Sequence, residues 1–181
     1  MKELSLHLLD ITQNSVRAEA SLIKLIIVES IPDNLLTFSI EDNGKGIPSE
    51  MLKGITDPFV TSRSTRRVGL GLSMFEAAAK QCGGNFDVQS QVGVGTSVFA
   101  SFIHDHIDRV PLGNMADTIV TMVMSFGVVD LLYEHTYNQK VYIFDTREIK
   151  EVLEVQSLNE PEILAWIREN VAEGLEEIME E

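Results

Sequence analysis

The apolar periodicity between Glu3 and Ile103 leaves this chain few ways to fold. Leu4, Leu8, Leu9, Ile11 and Val16 recur at helical spacing and predict an opening helix over 3–18. Two runs rich in β-branched and apolar residues follow, 22–28 and 35–41, with Pro32-Asp33-Asn34 between them; they read as a strand pair joined at a turn. Asp42-Asn43-Gly44-Lys45-Gly46 breaks that pattern, and Ser49 is the expected N-cap of a short helix ending near Gly54. Residues 55–69 have no apolar period and carry Thr, Ser and three Arg, so they read as a loop. Residues 70–82 then set Phe75, Ala78, Ala79 and Cys82 on one stripe, a helix stopped by Gly83-Gly84. Strands at 85–90 and 97–103 are joined through Val92-Gly93-Val94-Gly95-Thr96. The order α-β-β-loop-α-β-β specifies an α+β fold, a two-layer sandwich with helices on one face of the sheet, and not a doubly wound parallel sheet.

Residues 105–181 read as a second unit beside the first, which spans 1–104. A helix over 112–126, strands at 128–134 and 140–144, a helix after Asp145 and a last helix from Pro161 are expected, proline suiting the first turn. Leu164, Ile167, Val171 and Ile178 form an apolar seam on that last helix, available for packing or for a homodimer, and its outer face is rich in Glu. Charge divides unequally. Residues 1–104 carry nine Lys and Arg against eleven Asp and Glu, and residues 105–181 carry five against seventeen. A face this acidic repels duplex nucleic acid, whose phosphates need a basic partner. The acidic extension packs on the first unit, provides solubility, or binds a partner. Cys82 is the one cysteine, which excludes an internal disulfide and a cysteine-built zinc site. The N-terminus shows no signal-peptide pattern, and the apolar stretch 118–132, interrupted by Ser125 and Asp130, is too short to span a bilayer. The expectation is a cytoplasmic chain without membrane insertion.

Asp10 and Asn14 lie four apart, so a helix presents both on one face, with Arg17 three residues further. An amide oxygen is a hard ligand suited to Mg²⁺, a nearby carboxylate orients or deprotonates a nucleophile, and the arginine reaches a phosphate. Taken alone, the same residues also suit a solvated helix surface. Asp42-Asn43-Gly44-Lys45-Gly46-Ile47 follows a strand directly. A carboxylate there accepts from an exocyclic amine and glycines admit a flat ring, although an Asx turn explains the same residues. Gly69-Leu70-Gly71-Leu72 opens a helix, whose N-terminal amides cradle an anion. There is no Walker loop.

In combination these motifs are far more specific. D-x-x-x-N on a helix, D-x-G-x-G-I after a strand, a Thr/Ser/Arg loop, G-L-G-L opening a helix and G-x-G-T in a hairpin occur in that order. The set resembles the GHKL superfamily of ATPases, named for DNA gyrase, a heat-shock chaperone, histidine kinases and the mismatch-repair protein MutL. The stretch 56–73 and the run from Lys80-Gln81-Cys82-Gly83-Gly84 to Gly93-Val94-Gly95-Thr96 look most like the histidine-kinase branch. The resemblance covers about residues 4–103 and implies a two-layer sandwich of the histidine-kinase ATPase (Bergerat) type, with residues 105–181 as an acidic α/β extension. It further implies that Asn14 holds Mg²⁺ against ATP, that Asp42 accepts from the adenine amine, and that Gly44, Gly46 and Ile47 line the base pocket. Thr96 helps hold the base. Gly69, Leu70, Gly71 and Leu72 lie near the phosphates, the 55–68 loop is a lid, and Thr61, Arg63, Arg66 and Arg67 face the triphosphate or solvent from it.

Two departures stand out. Many members of the superfamily carry Glu where this chain has Asp10, which shortens the general base by one methylene. Sensor histidine kinases place a phospho-acceptor hairpin before this domain, whereas here the Asn14 helix starts within a few residues of Met1. His7 shares the Asp10 face and is expected to be structural; His104, His106 and His135 are expected to be surface or packing residues. The functional expectation is an ATP- and ADP-binding signalling kinase or regulator acting on a protein partner in trans. An ATP-dependent switch, an anti-sigma-like serine kinase and a binding module are the alternatives.

Overall fold

A computed structural model describes residues 2–56 and 69–180. Helix α1 (Leu4–Arg17) buries Leu4, Leu8 and Ile11 against the sheet, as its spacing requires. The amides of Leu4 and Ser5, which have no partner inside the helix, donate to the carbonyls of Pro111 and Leu112 at 2.9 Å. That contact holds Pro111 and Leu112 outside a helix and Gly113 follows at φ +95°, so the helix expected from 112 starts instead at Met115.

Strands β1 (Leu22–Ser30) and β2 (Leu35–Asp42) pair antiparallel around a turn at 31–34. In β1, Ile23, Leu25, Ile27 and Glu29 face the helices, alternating with half-buried neighbours on the other side. Helix α2 (Ser49–Leu52) is a single turn whose N-cap is Pro48 rather than Ser49. The Pro48 backbone is extended and its carbonyl accepts from Met51 and Leu52, so helical geometry begins at Ser49. Helix α3 (Gly69–Gln81) follows, then the hairpin of β3 (Phe86–Gln91) and β4 (Gly95–Ile103).

The later residues continue the same sheet. Helix α4 (Met115–Phe126) is capped by Asn114, whose side chain accepts from the Asp117 amide. Strand β5 (Asp130–Tyr137) pairs parallel with β1 along eight residues, and β6 (Lys140–Asp145) closes that side. Helices α5 (Thr146–Leu153) and α6 (Pro161–Met179) complete the chain. The sheet order is β3-β4-β2-β1-β5-β6, with one parallel pairing, β1 with β5. Helices α1, α3, α4 and α6 share one hydrophobic core with it, in which Phe38, Phe75 and Phe102 meet at centroid distances of 5.6–5.7 Å. The result is a mixed sheet with helices layered on it.

The seam on α6 is spent inside the chain. Ile167 and Val171 are fully buried and Ile178 nearly so, against α4 and the last two strands. It is therefore closed to the self-association that the sequence offered it for.

Candidate functional site

The turn after β2 is tied to its surroundings at almost every residue. Asn43 Oδ1 accepts from the amides of Ser21 and Leu22, and the Lys45 amide donates to the Ala18 carbonyl at 2.8 Å. The Lys45 carbonyl accepts from Gly93, and the Ile47 amide donates to Ser90 Oγ at 2.8 Å. Gly46 sits at φ +74°, and a Cβ there would lie 2.2 Å from the Gln91 carbonyl oxygen. Only glycine fits both constraints, which is the local reason for the D-x-G-x-G spacing.

Asp42 ends β2 opposite Thr96 of β4 and Ile23 of β1. Its Oδ1 accepts from the Gly44 amide at 2.9 Å and its Oδ2 from Ser15 Oγ at 2.6 Å. The carboxylate is thus fixed in direction, with a lone pair left on each oxygen. Thr96 Oγ1 lies 2.8 Å from Ser90 Oγ, so Thr96, Ser90 and Ile47 form one polar cluster beside the turn.

On α1, Asp10 is exposed, Asn14 half-buried and Arg17 exposed. Arg17 Nη1 donates to Asn14 Oδ1 at 3.3 Å, so two expected nucleotide-facing groups already touch. Across the helix layer, a Cβ on Gly71 would stand 3.2 Å from Asp10 Cβ, which brings the first turn of α3 against the polar side of α1. Leu70 is two-thirds exposed, whereas the Leu72 side chain lies in the core, leaving Leu72 only its backbone for the site. Thr61, Arg63, Arg66 and Arg67 lie outside the described residues. Asp10, Asn14, Arg17, Asp42 and the two glycine turns therefore gather around one end of α1.

Ser15 and Ser90 were not legible as site residues. Ser15 follows Asn14 on a helix and reads as filler, yet its hydroxyl reaches a carboxylate 27 positions away. A second polar cluster, at the other end of the sheet, was missed altogether. Glu29 receives His135 Nε2 on Oε1 and His104 Nε2 on Oε2, both at 2.8 Å, and the Tyr133 hydroxyl lies 2.7 Å from His135 Nδ1. Burial raises the Glu29 pKa, but the hydrogen bonds from His135 and His104 outweigh it and hold the carboxyl below its ordinary value. The one available signal was Glu29 and His135 standing where strand alternation calls for apolar residues.

A family model described as histidine kinase-, DNA gyrase B-, and HSP90-like ATPase matches residues 2–106. The chain is 38% identical over 87 residues to the sensor kinase CckA of Brucella abortus, covering 48% of this chain and 9% of that protein. It is 34% identical over 91 residues to sporulation kinase D of Bacillus subtilis, covering 50% of this chain and 18% of that protein. It thus spans a small part of the curated relatives it matches. Among solved structures, the N-terminal domain of a DNA repair protein superposes with a TM-score of 0.54 at 13% identity, over 79% of this chain and 52% of that one. The MutL ATPase domain of Aquifex aeolicus, solved with ADP, gives 0.50 at 12% identity, over 86% and 70%. At such identities these two speak for the fold alone. Since the family model covers more than half of the chain, the chain belongs to the histidine kinase-, DNA gyrase B-, and HSP90-like ATPase family and is related to histidine-kinase catalytic domains.

Proposed function

We propose that the protein binds ATP with Mg²⁺ at the end of α1 and acts as a signalling kinase or regulator on a protein partner supplied in trans. One observation carries this reading: Asp42 is held by Ser15 and Gly44 with acceptor capacity to spare, next to the helix that bears Asn14. In this reading Asp42 accepts from the adenine amine, Gly44, Gly46 and Ile47 form the wall of the base pocket, and Thr96 assists through its hydroxyl. Asn14 supplies an oxygen to Mg²⁺, and Arg17 and the amides of 69–72 receive phosphate charge. The donor set fits the metal: Mg²⁺ prefers hard oxygens and takes one or two from protein, the rest from phosphate and water. When bound, the ion neutralises charge on the transferring phosphoryl group. Asp10, exposed beside Gly71, orients the attacking group.

Calorimetry and thermal melts with ATP or ADP and millimolar magnesium test the binding. Asn14→Ala and Asp42→Ala are each expected to abolish the nucleotide-dependent rise in Tm. Heat from neither nucleotide would remove the reading entirely. Incubation with γ-labelled ATP and a lysate tests the transfer, and binding without label on any protein would leave a nucleotide-binding regulator and exclude the kinase.

A further inference from the structure

Strand β6 is the last strand on one side of the sheet, and no strand pairs with its outer edge among the described residues. The amides of Asp130 and Asn138 donate to the carbonyls of Ser21 and Glu29, on the β1 side of β5, whereas the Leu131 amide donates the other way, to Thr146 Oγ1 just past β6. Even-numbered residues of β5 therefore face β1 with their backbone groups, and odd-numbered ones face β6. Lys140, Tyr142 and Phe144 stand opposite Tyr137, His135 and Tyr133, so they turn their amides and carbonyls inward. Val141 and Ile143 turn theirs outward, and neither residue has another backbone partner among the described residues. An edge of this kind is a template for a further strand. The side chains alternate as well. Tyr142 and Phe144 face the helices, which leaves Val141 and Ile143 on the opposite face, 49% and 59% exposed.

What lies beside that edge decides which strand it takes. Helix α6 runs antiparallel to β6 on the helical face. Tyr142 Oη donates to Asn170 Oδ1 at 2.7 Å, a Cβ on Gly174 would strike the Tyr142 ring, and Lys140 Nζ donates to the Glu180 carbonyl. One flank of α6 is taken by α4, through Arg168 and Asp117 at 2.8 Å. At 3.6 residues per turn, Trp166, Glu173 and Glu177 fall on the flank opposite Arg168, the one beside the outer edge of β6. Trp166 is half-exposed, and both glutamates are exposed with no cation paired to them among the described residues. Tryptophan offers the best ring face for a lysine or arginine side chain.

A strand added at this edge sends alternate side chains to the two faces. One set meets Val141 and Ile143 and is best aliphatic. The other set comes under the free flank of α6, where an indole and two carboxylates call for basic groups. A second copy of the chain fits poorly: pairing β6 with β6 about a two-fold axis sets one glutamate flank against another, between chains that each carry a net charge of −14.

We propose that β6 is a docking edge for an extended segment of a partner protein in which aliphatic and basic residues alternate, the aliphatic set on Val141 and Ile143 and the basic set beside Trp166, Glu173 and Glu177. This does not rest on the nucleotide reading, because β1 and β5 separate the edge from Asp42 on β2. The probe is a synthetic peptide of the length of β6 alternating lysine with valine, titrated to millimolar concentration into the ¹⁵N-labelled full chain and followed by NMR. Saturable shifts are expected at the amides of Val141 and Ile143 and at the Trp166 indole, with slowed hydrogen exchange at those two amides. Exchanging the valines for serine, or the lysines for glutamate, removes binding. N-methylation at every valine or at every lysine blocks one edge of the peptide or the other, so one form binds and the other does not. Ile143→Lys, at an exposed strand position, abolishes binding with little change in Tm. Trp166→Ala weakens the lysine peptide about threefold, and Glu173→Lys with Glu177→Lys transfers the preference to the glutamate–valine peptide. If Ile143→Lys fails to fold, the methylated peptides and the α6 variants decide the matter. No saturable shift, shifts confined to α6, or the same result from both methylated forms overturns the proposal. So does a free chain that is a dimer in size-exclusion chromatography and a monomer as Ile143→Lys, which assigns the edge to a second copy.

Discussion

Ser15 shows how much rests on a hydroxyl that no pattern singles out. It holds one oxygen of Asp42 at 2.6 Å while the Gly44 amide holds the other. Hydrogen bonds to charged groups contribute about 1.5–3 kcal/mol, and this one is half-shielded from water. Ser15→Ala is expected to destabilise the fold by about 1 kcal/mol and to weaken ATP by roughly tenfold, read by melts and calorimetry. An Ala variant that binds ATP as wild type would show that Asp42 needs no such support. Titration gives a second residue-scale test. The folded pKa of His7 is lowered below 6.5, so the unfolded chain takes up the proton first and stability falls as pH drops through that range. Glu29 is lowered from 4.5, so its contribution is complete above that value and is lost only as pH falls through its depressed folded pKa. In melts recorded from pH 7 to pH 3, His7→Leu should flatten the upper limb and Glu29→Gln the lower one. A wild-type slope surviving in either variant would exclude that residue as its source.

Elements were legible where local periodicity and turn chemistry agree. The helices α1 and α3, the β1–β2 pair and the β3–β4 hairpin lie within a few residues of their expected ranges, because each repeats its period over two turns or more of helix or a full strand. The start of α4 was not legible, because the non-helical Pro111 and Leu112 are fixed by amides of α1 more than a hundred positions earlier. Gly46 and Gly93 separate two reasons for glycine that a sequence presents identically. Both have positive φ, but a Cβ on Gly46 strikes the Gln91 carbonyl whereas one on Gly93 meets nothing within 4 Å. Gly46→Ala should therefore cost about 3 kcal/mol, from backbone strain plus overlap, and Gly93→Ala about 1 kcal/mol from backbone strain alone. Chemical denaturation measures both, and equal losses would place Gly46 in open space. The candidate site was half-legible for the same reason. Asp42, Gly44, Gly46 and Asn14 announce themselves by spacing, while Ser15 and Ser90 enter through contacts that sequence distance hides.

At the scale of the whole molecule, the division at residue 104 follows charge and motif, but hydrogen bonding does not stop there. The alternation of Ile23, Leu25 and Ile27 reveals which face of β1 is buried and says nothing about which strand lies beside it. The neighbour is β5, parallel over eight residues. A fragment ending at Ile103 would strip β1 of that partner and remove α4 and α6 from the core to which Ile23, Leu25 and Ile27 belong. Such a fragment is expected to aggregate, or to elute as oligomers in size-exclusion chromatography, because an open apolar edge templates further pairing. A monomeric, cooperatively melting fragment would show that the first unit is self-sufficient. The same pairing sets a timetable in the cell. A ribosome adding about ten residues each second needs on the order of ten seconds to pass from the end of β1 to the end of β5. Throughout that interval the nascent chain carries a strand with one side unclaimed, so its survival during translation depends on what shields that side until its mate emerges.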